Sequence, residues 1–400
     1  MIQLLQAKNF RMLRSNSVAL QPYQVLVGQN ATGKSTFLNA LQFISDVVKH
    51  GVRYPVELIA ASFYDLCFDP GEPLSLALKF SLPDSGTLEQ WLRYEIQIGI
   101  TEERGLQVLR ENLFLLPPGH QPEGEPASPV HDEKEIPRHW KRVIYRKGEN
   151  ASLSPIGPQS HFVFRLPADQ AALGSLLPEY FPLALVGQEI LRNGIRTLQL
   201  DATQMRGVSP PGSESRIAVD GSNLPHVIRA FKLRDPVLFD QWVRHIALAV
   251  EGLESVDVWE RPEDRSLVLR VRFAGEHQEP VPAWMLSDGT LRLMALTLVS
   301  YAATEADQET YLIEEPENGL HPLAIQVVHE TLSKPPAGSQ VLCATHSPIF
   351  LAQTDLEHAL VFRRAPQGYA SVRRASEIPE LKEWAGRVNL ADLFVTGVLA

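Results

Sequence analysis

The sequence predicts an α/β fold built around a nucleotide phosphate-binding loop, and three observations carry that expectation. Residues Gly28 to Ser35 fit G-x-x-x-x-G-K-S/T between an apolar strand-like run, Val25-Leu26-Val27, and a helical start at Phe37–Leu41. Tyr311-Leu312-Ile313 runs as an apolar strand into two carboxylates, Glu314 and Glu315. Leu74, Leu76, Leu78 and Phe80, then Tyr94, Ile96, Ile98 and Ile100, alternate with other residues as antiparallel strands do, with Pro83–Gly86 as their turn.

A glycine-rich turn between a strand and a helix lets backbone N–H groups wrap phosphates at a positive helix end. Gly28, Asn30, Gly33, Lys34, Ser35 and Thr36 are therefore candidate nucleotide contacts. Lys34 would reach the β- and γ-phosphates, and the Ser35 hydroxyl would ligate Mg²⁺. Glu314 is a second candidate metal ligand, and Glu315 the candidate catalytic group that polarises an attacking water. Neighbouring strand residues face opposite ways, but at a strand's end the two can split these roles.

Two further stretches narrow the class. Leu286-Ser287-Asp288-Gly289-Thr290 precedes the helical pattern Leu291–Leu296, which sets Ser287 and Gly289 at a helix N-terminus. Gln340–Ala344 reads as a strand leading into Thr345-His346. Ser287 stands 27 residues before Glu314, and His346 stands 31 after Glu315. In this order the four motifs resemble the ABC-type ATPase head. The resemblance implies ATP and Mg²⁺ as cofactors and a head-to-head homodimer with two composite sites. Ser287 and Gly289 would then contact the γ-phosphate held by the other subunit, and His346 would sense that phosphate and orient the water. Pro316–Pro322 is similar to the loop that crosses such a dimer; its Asn318-Gly319 also suits an ordinary turn before a helix at Leu323–Leu332.

The opening Leu4–Arg11 is similar to the first strand of recombination-mediator and SMC-type heads, which implies Arg11 as a phosphate contact. A solvated charge at a strand end is the alternative. Ile313–Pro322, Asp220–Pro225, Leu286–Thr290 and the ending Leu390–Phe394 with Gly397 more closely resemble OLD-like (overcoming-lysogenisation, AAA_21-type) ATPases. That likeness covers nearly the whole chain and is weakest at residues 100–200. The glutamine that ligates Mg²⁺ in such heads has no evident counterpart, since Gln42 stands too close to the phosphate loop.

The expected organisation is an N-terminal part of the head at 1–100, a mixed α/β insertion at 101–280 with an exposed loop near 117–138, and a C-terminal part at 281–400. Helices are expected over 168–206 and 223–254, and strands over 256–273. No heptad pattern is sustained, so no long coiled-coil arm is expected. Lys134, Lys141, Arg142, Arg146 and Lys147, and the pairs Arg363-Arg364 and Arg373-Arg374, read as solvated faces, with nucleic-acid contact as the minority reading.

Composition limits the partners. A net charge of −10 gives no overall grip on nucleic acid, so any DNA contact must be local or indirect. No run of roughly 20 apolar residues appears, so no membrane span is expected. Two cysteines, Cys67 and Cys343, sit in apolar runs and fit the core of a cytoplasmic protein. In this 400-residue chain 54 residues follow His346, fewer than a Toprim nuclease domain of roughly 100 residues needs. The resemblance thus points to an ATP-hydrolysing switch acting on a separate effector protein, a nuclease or another DNA-acting chain, in anti-phage defence or DNA maintenance. The alternatives are the nucleotide-binding subunit of a transporter, or an ATP-assembled scaffold with little turnover.

Overall fold

Successive residues of a strand face opposite ways, and the central strands here divide their side chains between two cores on that rule. The computed structural model describes residues 1–82, 91–117, 126–129, 136–154, 162–176, 182–275, 279–304, 308–382 and 389–397. Strand β3 (Tyr23–Val27) is buried throughout. It sends Leu26 into one core, with Leu312, Leu342 and Ala344, and Val25 and Val27 into the other, with Ile313 and Cys343. Such a continuous apolar run marks a parallel sheet covered on both faces.

Among the described residues that sheet has six strands in the order β10-β14-β15-β3-β16-β17. Here β10 is Ile195–Leu198, β14 Thr310–Glu314, β15 Gln340–Ala344, β16 Ala359–Arg364 and β17 Ala370–Arg374. Strands β10, β14, β15, β3 and β16 pair in parallel, and β17 returns antiparallel. The phosphate loop, the two carboxylates and His346 therefore follow the carboxyl ends of three adjacent strands, where ligands of α/β sheets collect.

The second sheet is antiparallel, in the order β2-β1-β4-β5-β6-β7-β8-β9. It comprises β1 (Ile2–Phe10), β2 (Leu13–Ala19), β4 (Leu74–Ser81), β5 (Trp91–Thr101), β6 (Gly105–Leu116), β7 (Lys141–Lys147), β8 (Asn150–Leu153) and β9 (Phe162–Arg165). One face packs on helix α1 (Lys34–His50), joining Leu5, Leu76 and Leu78 to Phe37, Leu41 and Ile44. Gln340 binds the two sheets together: its amide donates to Ile2 O (2.8 Å) and Gln21 O (2.8 Å) and accepts from Ile2 N (3.2 Å).

The antiparallel sheet runs across the expected boundary at residue 100. Strand β5 pairs with β6 as far as Thr101↔Gly105, so the layer continues to Arg165. The stretch 101–280 likewise serves several parts of the molecule, since β10 joins the parallel sheet. The helical reading of 168–206 holds only in pieces. Helices α2 (Arg53–Ile59), α3 (Pro182–Asn193) and α4 (Ala202–Met205) precede a more regular helical part, and Ile195–Leu198 is a strand. Gly194 breaks the helical period, and the β-branched Ile195 and Thr197 suit the sheet edge.

Helices α5 (Leu224–Arg234) and α6 (Pro236–Ala247) are divided at Asp235, which caps α6 by accepting from Leu238 N at 2.9 Å. They pack with a three-stranded sheet of β11 (Leu253–Glu260), β12 (Leu267–Phe273) and β13 (Val281–Pro282), and with α7 (Asp288–Tyr301), α8 (Pro322–Leu332) and α9 (Pro348–Leu351). The expected turn at 83–86 and most of the loop near 117–138 lie outside the described residues. Among the described residues no helix is long and apolar enough to cross a membrane.

Candidate nucleotide-binding site

Steric crowding fixes the shape of the phosphate loop. A side chain on Gly28 would stand 2.3 Å from the Phe362 carbonyl oxygen. Gly33 has φ of 106°, and a Cβ there would stand 2.9 Å from that of Ala370. Thr32 closes the turn by donating to Gln29 O at 2.8 Å. Helix α1 begins directly after Gly33 with no side-chain cap and no acid in its first turn, which leaves its leading amides for an anion.

The Lys34 ammonium lies across this loop and donates to Gly28 O (2.8 Å) and Gln29 O (2.9 Å). Burial lowers its pKa to about 8, against the pull of Glu314 and Glu315 in the other direction. Ser35 donates to Glu314 Oε2 at 2.6 Å, across 279 residues of sequence. Together with Asn30, Thr36, Glu315 and His346, these groups line a cleft of about 290 Å³. A hydroxyl and a carboxylate already in contact beside an ammonium and a bare helix end fit a nucleotide phosphate with its Mg²⁺.

The two adjacent carboxylates reach the same cleft because the strand stops between them. Glu314 is the last residue of β14, and Glu315 takes a left-handed φ of 47° while its amide donates to Ala344 O at 2.7 Å. A non-glycine residue in that region costs of order 1–3 kcal/mol, and such strain gathers at functional sites. His346 follows β15 and is half-buried. Burial and the nearby Lys34 lower its pKa, so the ring favours its neutral form.

Arg11, expected as a phosphate contact, is not among the residues that line the cleft. Its guanidinium donates to Ile59 O at the end of α2, and Met12 occupies the cleft wall instead. The Asn-Phe-Arg opening is a structural knot: Asn9 donates to Asp69 O and Glu72 O, and Phe10 is buried against Phe43 with ring centroids 5.4 Å apart. Two members of the basic runs are also tied to backbone carbonyls. Arg146 is fully buried and donates to Gly148 O and Pro167 O. Arg374 donates to Ala19 O and Glu357 O.

Ser287 caps α7, accepting from Thr290 N at 3.1 Å. With Gly289 it faces a separate hollow of about 260 Å³ shared with Gly319 and His321. A Cβ on Gly289 would stand 2.8 Å from Gly319 O, so the start of α7 rests directly on the turn that follows the carboxylates. Arg206 donates to Leu286 O (2.9 Å) and pairs with Asp288. The structure thus brings Lys34, Ser35, Glu314, Glu315 and His346 together and holds Ser287 and Gly289 apart from them.

One residue at this site escaped the motif reading. Glu317 Oε1 accepts from Thr345 Oγ1 (2.6 Å), His346 N (3.1 Å) and Ser347 N (3.0 Å). In sequence it stands inside the run Pro316–Pro322 with no role of its own, as the third acid of Glu314–Glu317.

Comparison with known proteins agrees with this fold. Residues 191–352 match the AAA_21 family, described as an AAA domain, putative AbiEii toxin, Type IV TA system. Residues 1–106 match the AAA_15 family, an AAA ATPase domain. An SMC head bound to the C-terminal winged-helix domain of ScpA superposes with a TM-score of 0.56 at 16% identity, over 94% of this chain and 99% of that one. This chain has the fold of an ABC-type P-loop ATPase head. A second such head, an SMC head with extended coiled coil bound to the C-terminal domain of ScpA from Pyrococcus furiosus, superposes at 0.51 with 14% identity, over 96% and 98% of the two chains. No curated protein matches. Within this head fold the antiparallel sheet and the parallel sheet meet around α1, the helix that the phosphate loop opens.

Proposed function

We propose that this head binds and hydrolyses ATP, closes with a second copy around two nucleotides, and uses that cycle to control a separate DNA-acting effector in the cytoplasm. The observation that carries the reading is the 2.6 Å contact between Ser35 and Glu314 in a cleft that also holds Lys34, Glu315 and His346. ATP with Mg²⁺ would supply the phosphoanhydride and neutralise its charge. The leading amides of α1 and Lys34 would bind the phosphates, with Ser35 and Glu314 holding the metal. Glu315 would take a proton from the attacking water, and the neutral His346 ring would orient that water.

A head-to-head pair would bring Ser287 and Gly289 of each copy to the phosphates of the other. Their exposure in a hollow of their own, remote in contacts from the cleft, supports that arrangement. The defence setting is supported by the toxin–antitoxin wording of the matched family, and a protein partner by the ScpA-bound state of the SMC head.

The test is the ATPase rate of the purified chain with and without linear double-stranded DNA, read against Glu315→Gln. A rate above that variant, raised by DNA and less so as salt is added, is expected. A rate no higher than the variant's overturns hydrolysis at this site. A rate indifferent to DNA overturns direct DNA sensing and turns the search for the input to a protein.

A further inference from the structure

We propose that Glu317 is a positioning residue that sets the place of His346, a role that rests on the hydrolytic reading above. A single oxygen, Glu317 Oε1, accepts from the Thr345 hydroxyl and from the backbone amides of His346 and Ser347. The Ser347 amide also approaches Thr345 Oγ1 at 3.0 Å, which draws the three residues into one compact clasp. Upstream, Thr345 N donates to Leu26 O, and downstream Ser347 Oγ accepts from Phe350 N at the start of α9. Between these two anchors the His346 backbone is held by Glu317.

The carboxylate is itself committed to this task. Its second oxygen is buried without a hydrogen-bond partner in the structure. Leaving a carboxylate oxygen so placed is costly, and charge-assisted bonds to the other oxygen offset that cost. Glu317 also belongs to the tight turn after Glu315, in which Asn318 N donates to Glu315 O and Leu320 N to Glu317 O. The carboxylate thus ties the loop carrying Glu315 to the loop carrying His346. Displacing a group by about 1 Å can cost on the order of 100-fold in rate, so the clasp sets how well the two groups meet one water.

The experiment compares Glu317→Ala, Glu317→Gln, His346→Ala and the double variant Glu317→Ala/His346→Ala, by steady-state ATPase, fluorescent-ATP affinity and amide hydrogen exchange over residues 340–351. Glu317→Ala should lose exchange protection at His346 and Ser347 and lower kcat by roughly 10- to 100-fold, with nucleotide affinity within about twofold. Glu317→Gln keeps a carbonyl acceptor and should recover most of the rate and the protection. In the His346→Ala background, loss of Glu317 should cost nothing more.

Equal kcat in Glu317→Ala and the parent overturns the proposal. So does Glu317→Gln as slow as Glu317→Ala, or an undiminished cost in the His346→Ala background. If the parent chain turns over no faster than Glu315→Gln, the hydrolytic reading itself has failed. The exchange measurement then decides alone, and unchanged protection in Glu317→Ala overturns the clasp.

Discussion

The cleft around Lys34 and the hollow around Ser287 are built in opposite ways. In the cleft, groups from three distant stretches of sequence converge on one another: Ser35 touches Glu314, Lys34 lies beside both carboxylates, and Glu317 holds the His346 loop. The hollow holds one helix end, whose serine is spent on capping its own amide, and a glycine set against a carbonyl. The first brings distant residues together within one chain, whereas the second is a local helix end beside a turn. The proposed composite site would use both.

Breaking the cleft should give the largest effects. Lys34→Ala is expected to remove nucleotide binding, measured as fluorescent-ATP affinity; unchanged affinity would refute the role of the loop. Glu315→Gln should slow hydrolysis by about 10²–10⁴-fold while nucleotide still binds, and should trap the closed pair in size-exclusion runs with ATP. Breaking the hollow should leave the cleft untouched. Ser287→Arg should keep full nucleotide affinity yet abolish ATP-driven pairing in analytical ultracentrifugation, and persistence of the pair would end the trans-site model.

Smaller effects sharpen the contrast. Glu315→Gly should abolish hydrolysis while leaving thermal stability equal or raised by up to about 1 kcal/mol, because φ of 47° suits glycine. A clear loss of stability would show that the backbone there is not strained. Arg11→Ala, outside both regions, should lower stability by about 1 kcal/mol through the lost bond to Ile59 and leave ATP affinity unaltered. A fall in affinity would return Arg11 to the phosphate.

What could be read from the sequence was whatever is local. The phosphate loop, the strand ending in Glu314 and the helix opened by Ser287 are each set by residues within a few positions of one another. Such patterns survive without knowledge of the fold. The bond from Arg11 to Ile59 could not be read, because its partner is a carbonyl 48 residues away and a backbone oxygen leaves no mark in a side-chain pattern. Arg146 looked like one member of a basic run, yet it is buried where β7 meets the segment around Pro167. Strand β10 is only four residues long, too short for alternation to outweigh the helical spacing around it. Glu317 had the plainest signal, a third acid, and its partners lie about thirty residues ahead on the next strand end.

The contact between Gly289 and the Gly319 carbonyl carries a consequence for timing. In a head-to-head pair, the start of α7 in one copy would read the nucleotide held by the other, while the turn on which it leans leads back to that copy's own carboxylates and histidine. Engagement at one active site would then press on the machinery of its twin. Such a pair would fire its two sites in sequence or in concert, and would seldom fire them independently. Replacing Gly289 by alanine, which has no room against Gly319, would show this as a change in the number of ATP molecules split per closure.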